Sequence, residues 1–243
     1  MRLKVGIIGG TGIGERLLAE GGKTLVVPTP EGMAKGKLVN FGGTDVFLLG
    51  RHAAGHKVPP HKVNYRAMTL AMKQLGITNV LSTAAVGSLR EDWNTGTFVA
   101  CSDFFDFSFR NPTLFDREVV HTDFSHPFGE RGRAALLGAG STLGYTVHPK
   151  GIYLIGNGPR YETPEEIQLY RRLGAELVGM TATTEAILMR EAGIDYACLA
   201  VVTNLAAGIS PTPLNHEEVA DAMKLHGEQA VEILRLAVKT LAS

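Results

Sequence analysis

The sequence predicts a single α/β domain spanning residues 1–243. Three observations carry the prediction. Short apolar runs rich in branched residues alternate with longer amphipathic segments. The length suits one large domain better than two. No internal repeat, low-complexity stretch or linker divides the chain. In chain order, strands are expected at 3–8, 24–27, 46–49, 79–82, 97–102, 151–155 and 196–202, each an apolar run of strand length. Helices are expected at 62–75, 130–143, 164–173, 183–192 and 215–241, where apolar positions return at helical spacing. Two of them have readable beginnings. Thr163 is a plausible N-cap before Pro164, with two glutamates in the first turn. Asn215 repeats that logic, with Glu218 at the capping-box position. Residues 103–128 are aromatic-rich and without clear period, and a loop of that length in a compact domain is usually functional or interfacial.

Composition removes several classes of function. The chain carries 24 basic and 24 acidic residues, so its formal charge is zero and nothing global draws it to nucleic acid or an anionic membrane. The first residues, MRLKVGIIGGTGIG, lack the apolar length and cleavage site of a signal peptide. No apolar stretch approaches the roughly 18–20 residues of a membrane span. Cys101 and Cys198 both sit in strand-like apolar contexts and read as two buried thiols, too few for a zinc site. The expectation is a cytosolic protein.

Six segments carry chemistry. Val5 to Gly14 runs from a strand into a glycine-rich loop, where backbone N–H groups and the Thr11 hydroxyl suit an anion. A dinucleotide loop is an alternative, but its third glycine position is Glu15, and Pro28 and Pro30 interrupt the stretch where a ribose-binding acid belongs. A merely tight turn is the third reading. Arg51-His52, directly after a strand, offers a planar fork and a further donor to an oxyanion. His52, His56 and His61 raise a metal reading; their spacing matches no helical pair, and His56 and His61 read as solvated loop residues. In Ser82 to Arg90, small residues after a buried strand leave space for a ligand or allow close helix packing. Tyr161 presents a flat face and Glu162 an acceptor, although both also precede a helix. Met180-Thr181 lies at a strand-to-helix turn. Asn204 stands at a strand end, where a buried amide needs a partner unless it forms a turn.

Together these motifs resemble the trimeric purine nucleoside phosphorylase and methylthioadenosine phosphorylase family, almost end to end, from GIIGGTG at 6–12 to NHEEV at 215–219. The resemblance implies a mixed, partly barrel-like central sheet flanked by helices, a homotrimer, and attack of inorganic phosphate on the sugar carbon with no cofactor and no metal. It implies a phosphate site of Thr11, Arg51, His52, Ala85 and Thr181, with Ala85 acting through its backbone. Met180 matches the residue under the ribose, and Tyr161 the aromatic that stacks on the base. Glu162 and Asn204 match the pair that reads the base. His121 matches a histidine lent to a neighbouring subunit's sugar pocket, and His216 one that bonds the sugar's 5′-hydroxyl. Asn204, Glu162 and His216 are the expected catalytic set.

The pattern is a hybrid. GRH, PPHKVNYRA and GSLRE look like the methylthioadenosine branch, which reads adenine with two aspartates where this chain has Asn204 and Ala206. A 6-oxopurine offers an O6 acceptor and an N1–H donor, suited to Asn204 and Glu162 respectively. Inosine and guanosine are therefore the expected substrates, with 5′-methylthioinosine or 5′-methylthioadenosine as the alternative. Ala53 and Thr184 stand where the family commonly has glycine and proline, which bears on loop geometry. A dinucleotide oxidoreductase and a non-catalytic nucleoside binder are the competing classes.

Overall fold

The computed structural model describes residues 3–41, 43–53, 55–210 and 212–243; Ala54, inside the predicted Arg-His motif, lies outside them. Among the described residues, eleven strands form one mixed sheet. They are β1 (Val5–Gly9), β2 (Lys23–Thr29), β3 (Gly32–Phe41), β4 (Thr44–Gly50), β5 (Asn79–Ser88), β6 (Phe98–Ala100), β7 (Asp103–Asp106), β8 (Val147–His148), β9 (Ile152–Ile155), β10 (Leu177–Gly179) and β11 (Asp195–Leu205). The helices are α1 (Ile13–Ala19), α2 (Tyr65–Gln74), α3 (Glu130–Leu143), α4 (Pro164–Leu173), α5 (Ala182–Glu191) and α6 (His216–Ala242).

The centre reads as continuous apolar sequence because both faces are covered. Every residue of β1 is buried. Its side chains alternate: Ile7 joins Leu199, Val201 and the inner faces of α1, α3 and α6. Ile8 joins Met72 of α2, Met189 of α5 and Tyr196. Each such aliphatic side chain contributes about 1.5–3 kcal/mol on burial, which fixes the register of the inner strands.

The sheet divides along β5, and that division positions the cavity described below. Over Asn79–Ser82, β5 lies between β1 and β11, parallel to both. At Gly87 and Ser88 its neighbour on one side has become β10, antiparallel. Between these points β11 is its only strand partner among the described residues. The prediction ended this strand at Ser82; the backbone instead stays extended to Ser88. The small side chains do mark a gap, but it lies beside the strand rather than beyond it.

Other boundaries moved for identifiable reasons. The helices predicted at 130–143 and 164–173 occur at those bounds. Thr163 and Glu166 complete a reciprocal capping box. The helix expected from residue 62 begins at Tyr65, where the Asn64 side chain accepts from Ala67 N–H; Pro60–Lys62 form a separate 3₁₀ turn. The two-turn helix α1 and the strands β3, β7 and β8 were not expected, and β10 was implied only by the strand-to-helix turn at Met180-Thr181. β3 alternates exposed and buried positions beside the edge strand β2, whose Pro28 is tolerated because, among the described residues, β2 pairs with β3 alone. Cys101 and Cys198 are both buried and unbridged. They face each other across β6 and β11, where Cys101 N–H donates to Cys198 O at 3.1 Å. Among the described residues no helix is long and apolar enough to cross a membrane.

Candidate active site

A cavity of about 380 Å³ opens where β5 lacks a second strand partner. Thr11, Arg51, His52, Ala85, Tyr161, Glu162, Met180, Thr181, Asn204, Ala206 and His216 all line it. Of the residues predicted to bind phosphate, base or ribose, His121 alone is elsewhere: it is exposed, in the irregular segment before α3, and does not line this cavity.

One end is built for an anion. Thr181 is the N-cap residue of α5, and no side-chain capping bond occupies its hydroxyl. The amino end of α5 therefore points a favourable dipole and a donor into the cavity. Arg51 is held by a buried frame. Its Nε–H and Nη2–H donate to the two oxygens of Glu185 at 2.5 and 2.8 Å, and Nη1–H donates to Thr83 O at 2.8 Å. Of its five N–H groups, two stay available to a ligand. Burial opposes the Arg51 charge, but the charge and hydrogen bonds of Glu185 outweigh it and hold the pKa above the ordinary value. Tyr196 O–H donates to Glu185 Oε2 at 2.6 Å and lies 2.7 Å from Ser82 Oγ, extending the frame into the core.

The glycine-rich loop serves this frame more than it serves an anion directly. Gly10 N–H donates to the Thr83 hydroxyl at 2.9 Å, and a Cβ at Gly10 would stand 2.7 Å from Arg51 Nη1. Ile13 and Gly14 N–H groups go to Thr11 O and Gly10 O. Glycine at position 10 is thus required first by the Thr83 carbonyl oxygen, which a Cβ would meet more closely still, and then by the close approach of the guanidinium.

His52 is buried, and its Nδ1 lies 2.8 Å from Val58 O. Burial and the Arg51 charge push its pKa down to about 4, so the ring is neutral near neutral pH. A carbonyl only accepts, so Nδ1 carries the hydrogen and Nε2 is an acceptor. The sequence reading of His52 as a further donor is therefore corrected. His56 is also more than a solvated loop residue. Its ring lies between His52 and His216, with centroids 4.3 and 5.2 Å away, and lines the cavity.

The other end offers a flat ring, a carboxylate and an amide. Glu162 is partly buried, and burial raises its pKa. A Cβ at Gly156 would stand 2.6 Å from its Oε1, so this glycine leaves room for the carboxylate. Asn204 lies within β11, not in a turn. A register shift between Val202 and Asn204 re-aims the strand there. The amide is oriented by its neighbours: Oδ1 accepts from Thr203 Oγ1 and Nδ2 donates to Leu205 O, both at 2.9 Å. One Nδ2 hydrogen remains for a ligand. Ala206 is buried and adds no polar group. Glu185, Thr203, Tyr196 and His56 were missed from the sequence. The only signal for Glu185 was a carboxylate four residues after Thr181 on one helix, which ordinarily marks a solvated face.

Fold and cavity together define an α/β protein with a ligand site at the carboxyl ends of its central strands, an anion end facing a planar-group end. The phosphorylase superfamily model matches residues 4–239, and the chain belongs to that family. It is 42% identical, over 98% of its length and 91% of the relative's, to a probable 6-oxopurine nucleoside phosphorylase of Thermococcus kodakarensis. It is 40% identical, over 97% of its length and 92% of the relative's, to a probable S-methyl-5′-thioinosine phosphorylase of Methanopyrus kandleri. Among solved structures, methylthioadenosine phosphorylase from Schistosoma mansoni in complex with adenine superposes with a TM-score of 0.94 at 32% identity, covering 99% of this chain and 92% of that one.

Proposed function

We propose that this enzyme cleaves 6-oxopurine nucleosides, inosine and guanosine, with inorganic phosphate, giving the free base and ribose 1-phosphate. One observation carries the choice of base: Asn204, re-aimed at the register shift in β11, shares the cavity with Glu162, while Ala206 supplies no second carboxylate. Its spare N–H suits O6 or N7, and Glu162 accepts from N1–H. Adenine would set its N6 donor toward an amide already held as a donor, leaving buried groups unpaired.

Phosphate at Thr11, Arg51, His52, the Ala85 backbone and Thr181 is the nucleophile, so no catalytic carboxylate pair, metal or cofactor is needed. Its charge faces the oxocarbenium character that grows as the glycosidic bond breaks. Electrons of that bond pass to the purine, and the proton of monohydrogen phosphate ends on the departing base. Neutral His52 accepts from a hydroxyl of phosphate or ribose. Tyr161 stacks on the base, Met180 lies under the ribose, and His216 at the cavity edge reads the 5′-hydroxyl. Placement of reactants accounts for much of the rate.

The second reading is 5′-methylthioinosine. It is favoured by the name of the Methanopyrus relative and by His121, which this reading assigns to a neighbouring subunit's sugar pocket in a homotrimer. The protein acts in the cytoplasm on small molecules, without nucleic acid or membrane. Phosphate-dependent formation of hypoxanthine and ribose 1-phosphate from inosine tests the reaction. Absence of both products rejects it. Faster turnover of 5′-methylthioinosine than inosine selects the second reading, and a monomer in light scattering removes the subunit role of His121.

A further inference from the structure

The segment that carries Tyr161 and Glu162 is weakly tied to the rest of the molecule. Gly156 N–H donates to Gly179 O at its start, and Thr163 caps α4 at its end. Between these, Arg160 bonds to Tyr161 O and Glu166, which belong to the same loop and its own helix. Among the described residues, the side-chain hydrogen bonds that join 157–163 to another part of the chain all come from Arg110.

Arg110 reaches the loop from the irregular segment after β7. Its Nε–H donates to Asn157 Oδ1 at 2.9 Å and its Nη2–H to Asn157 O at 2.7 Å. On its far side, Nη1–H donates to Thr184 Oγ1 at 3.2 Å and reaches the Tyr65 hydroxyl at 3.5 Å. Thr184 lies in the first turn of α5, the helix that Thr181 begins. One guanidinium therefore spans from the base-binding loop to the helix at the anion end. Three directions of its planar fork are used at once, which a lysine ammonium on a single stem cannot reproduce.

We propose that Arg110 is a positioning residue for the base: it fixes the loop of Tyr161 and Glu162 against α5, and so sets the spacing between the base and phosphate ends. The inference rests on the nucleoside reading above. Ordering that loop in advance spares the nucleoside the cost of doing so on binding. Arg110 touches neither reactant, so its loss acts on affinity for the base and leaves the phosphate frame in place.

The test measures inosine KM and kcat, hypoxanthine Kd and phosphate Kd for the parent, Arg110→Ala, Arg110→Lys and Asn157→Ala. Thermal melts accompany each. Arg110→Ala is expected to raise inosine KM and hypoxanthine Kd about tenfold, the scale of a lost charge-assisted hydrogen bond, with a smaller change in kcat and phosphate Kd. Arg110→Lys should stay close to Arg110→Ala, and Asn157→Ala, which removes one acceptor from an exposed side chain, should fall between parent and Arg110→Ala. A folded Arg110→Ala protein with parental inosine KM and hypoxanthine Kd overturns the proposal, as does full rescue by lysine. If Arg110→Ala does not fold, a parental inosine KM in Asn157→Ala overturns it. A parent that neither binds hypoxanthine nor cleaves inosine defeats the functional reading itself; an active parent with indifferent variants defeats only the role of Arg110.

Discussion

Replacing Glu185 with glutamine tests the buried frame beneath the anion end of the cavity, where phosphate is proposed to bind. Arg51 and Glu185 side chains are each 1% exposed, so neither water nor salt can take over for a lost partner. Glutamine keeps the size and one acceptor but puts an NH₂ group where Oε2 receives Arg51 Nη2–H and Tyr196 O–H. Tyr196 can adapt, because Ser82 Oγ at 2.7 Å can take its proton. Arg51 cannot, since guanidinium only donates. Breaking a buried pair by removing one charge costs about 3–5 kcal/mol. For a protein of this size each kcal/mol lowers Tm by roughly 2–4 °C, so the fall should be about 6–20 °C. Calorimetry in phosphate-free buffer measures it. Saturating phosphate, by setting an anion beside the unpaired guanidinium, should raise Tm of the variant by more than that of the parent. A variant melting within about 2 °C of the parent, with an equal phosphate response, would show that the pair does not organise the site.

Three further outcomes follow from the geometry. Asn204→Ala should lower kcat on inosine on the order of 10²-fold, as for other preorganised donors to developing charge; an unchanged rate in a phosphate-coupled assay removes that role. Asn204→Asp combined with Ala206→Asp should move preference toward adenine nucleosides, and no gain with 5′-methylthioadenosine would show that base choice lies elsewhere. For His52, the native pKa of about 4 lies below the ordinary 6.5, so the unfolded chain takes up a proton in that window that the native state refuses. Its contribution is complete above pH 6.5 and lost as pH falls toward 4, at most about 3 kcal/mol at 1.36 kcal/mol per unit. Urea melts across this range should therefore show a shallower acid loss for His52→Gln; parallel curves would contradict it.

What could be read from the sequence was what local chemistry dictates. Thr163-Pro164 with Glu166 announces a helix start through groups three residues apart, and the structure contains that start. Thr11, Arg51, His52 and Asn204 are legible for a similar reason, since each stands just beyond the end of an apolar run, where this architecture places ligands; Ala85, Met180 and His216 were chosen by the family resemblance. Glu185 is different in kind. It meets Arg51 across 134 residues of chain, and nothing about a glutamate on an ordinary helix signals that it will be buried against an arginine. The division of the sheet escaped for another reason: Ala84 and Ala85 read as a strand end because alanine is a poor strand marker, whereas here their smallness serves the cavity wall while the backbone stays paired to β11. Asn204 shows both effects. Its amide was visible at a strand end, but the register shift that re-aims it and the Thr203 hydroxyl that orients it arise only once β11 is laid against β5. Arg110 takes the point furthest. The length and irregularity of 103–128 marked the segment as functional or interfacial, yet the residue that grips the loop of Tyr161 and Glu162 could be chosen only by seeing which side chain reaches both Asn157 and Thr184. In this chain, then, groups that line the cavity are readable from local pattern and family resemblance, whereas the groups that hold them in place are set by contacts between distant segments. Errors of sequence inference should therefore concentrate in the supporting residues, and Glu185 and Arg110 are where substitutions distinguish a formed site from a merely plausible one.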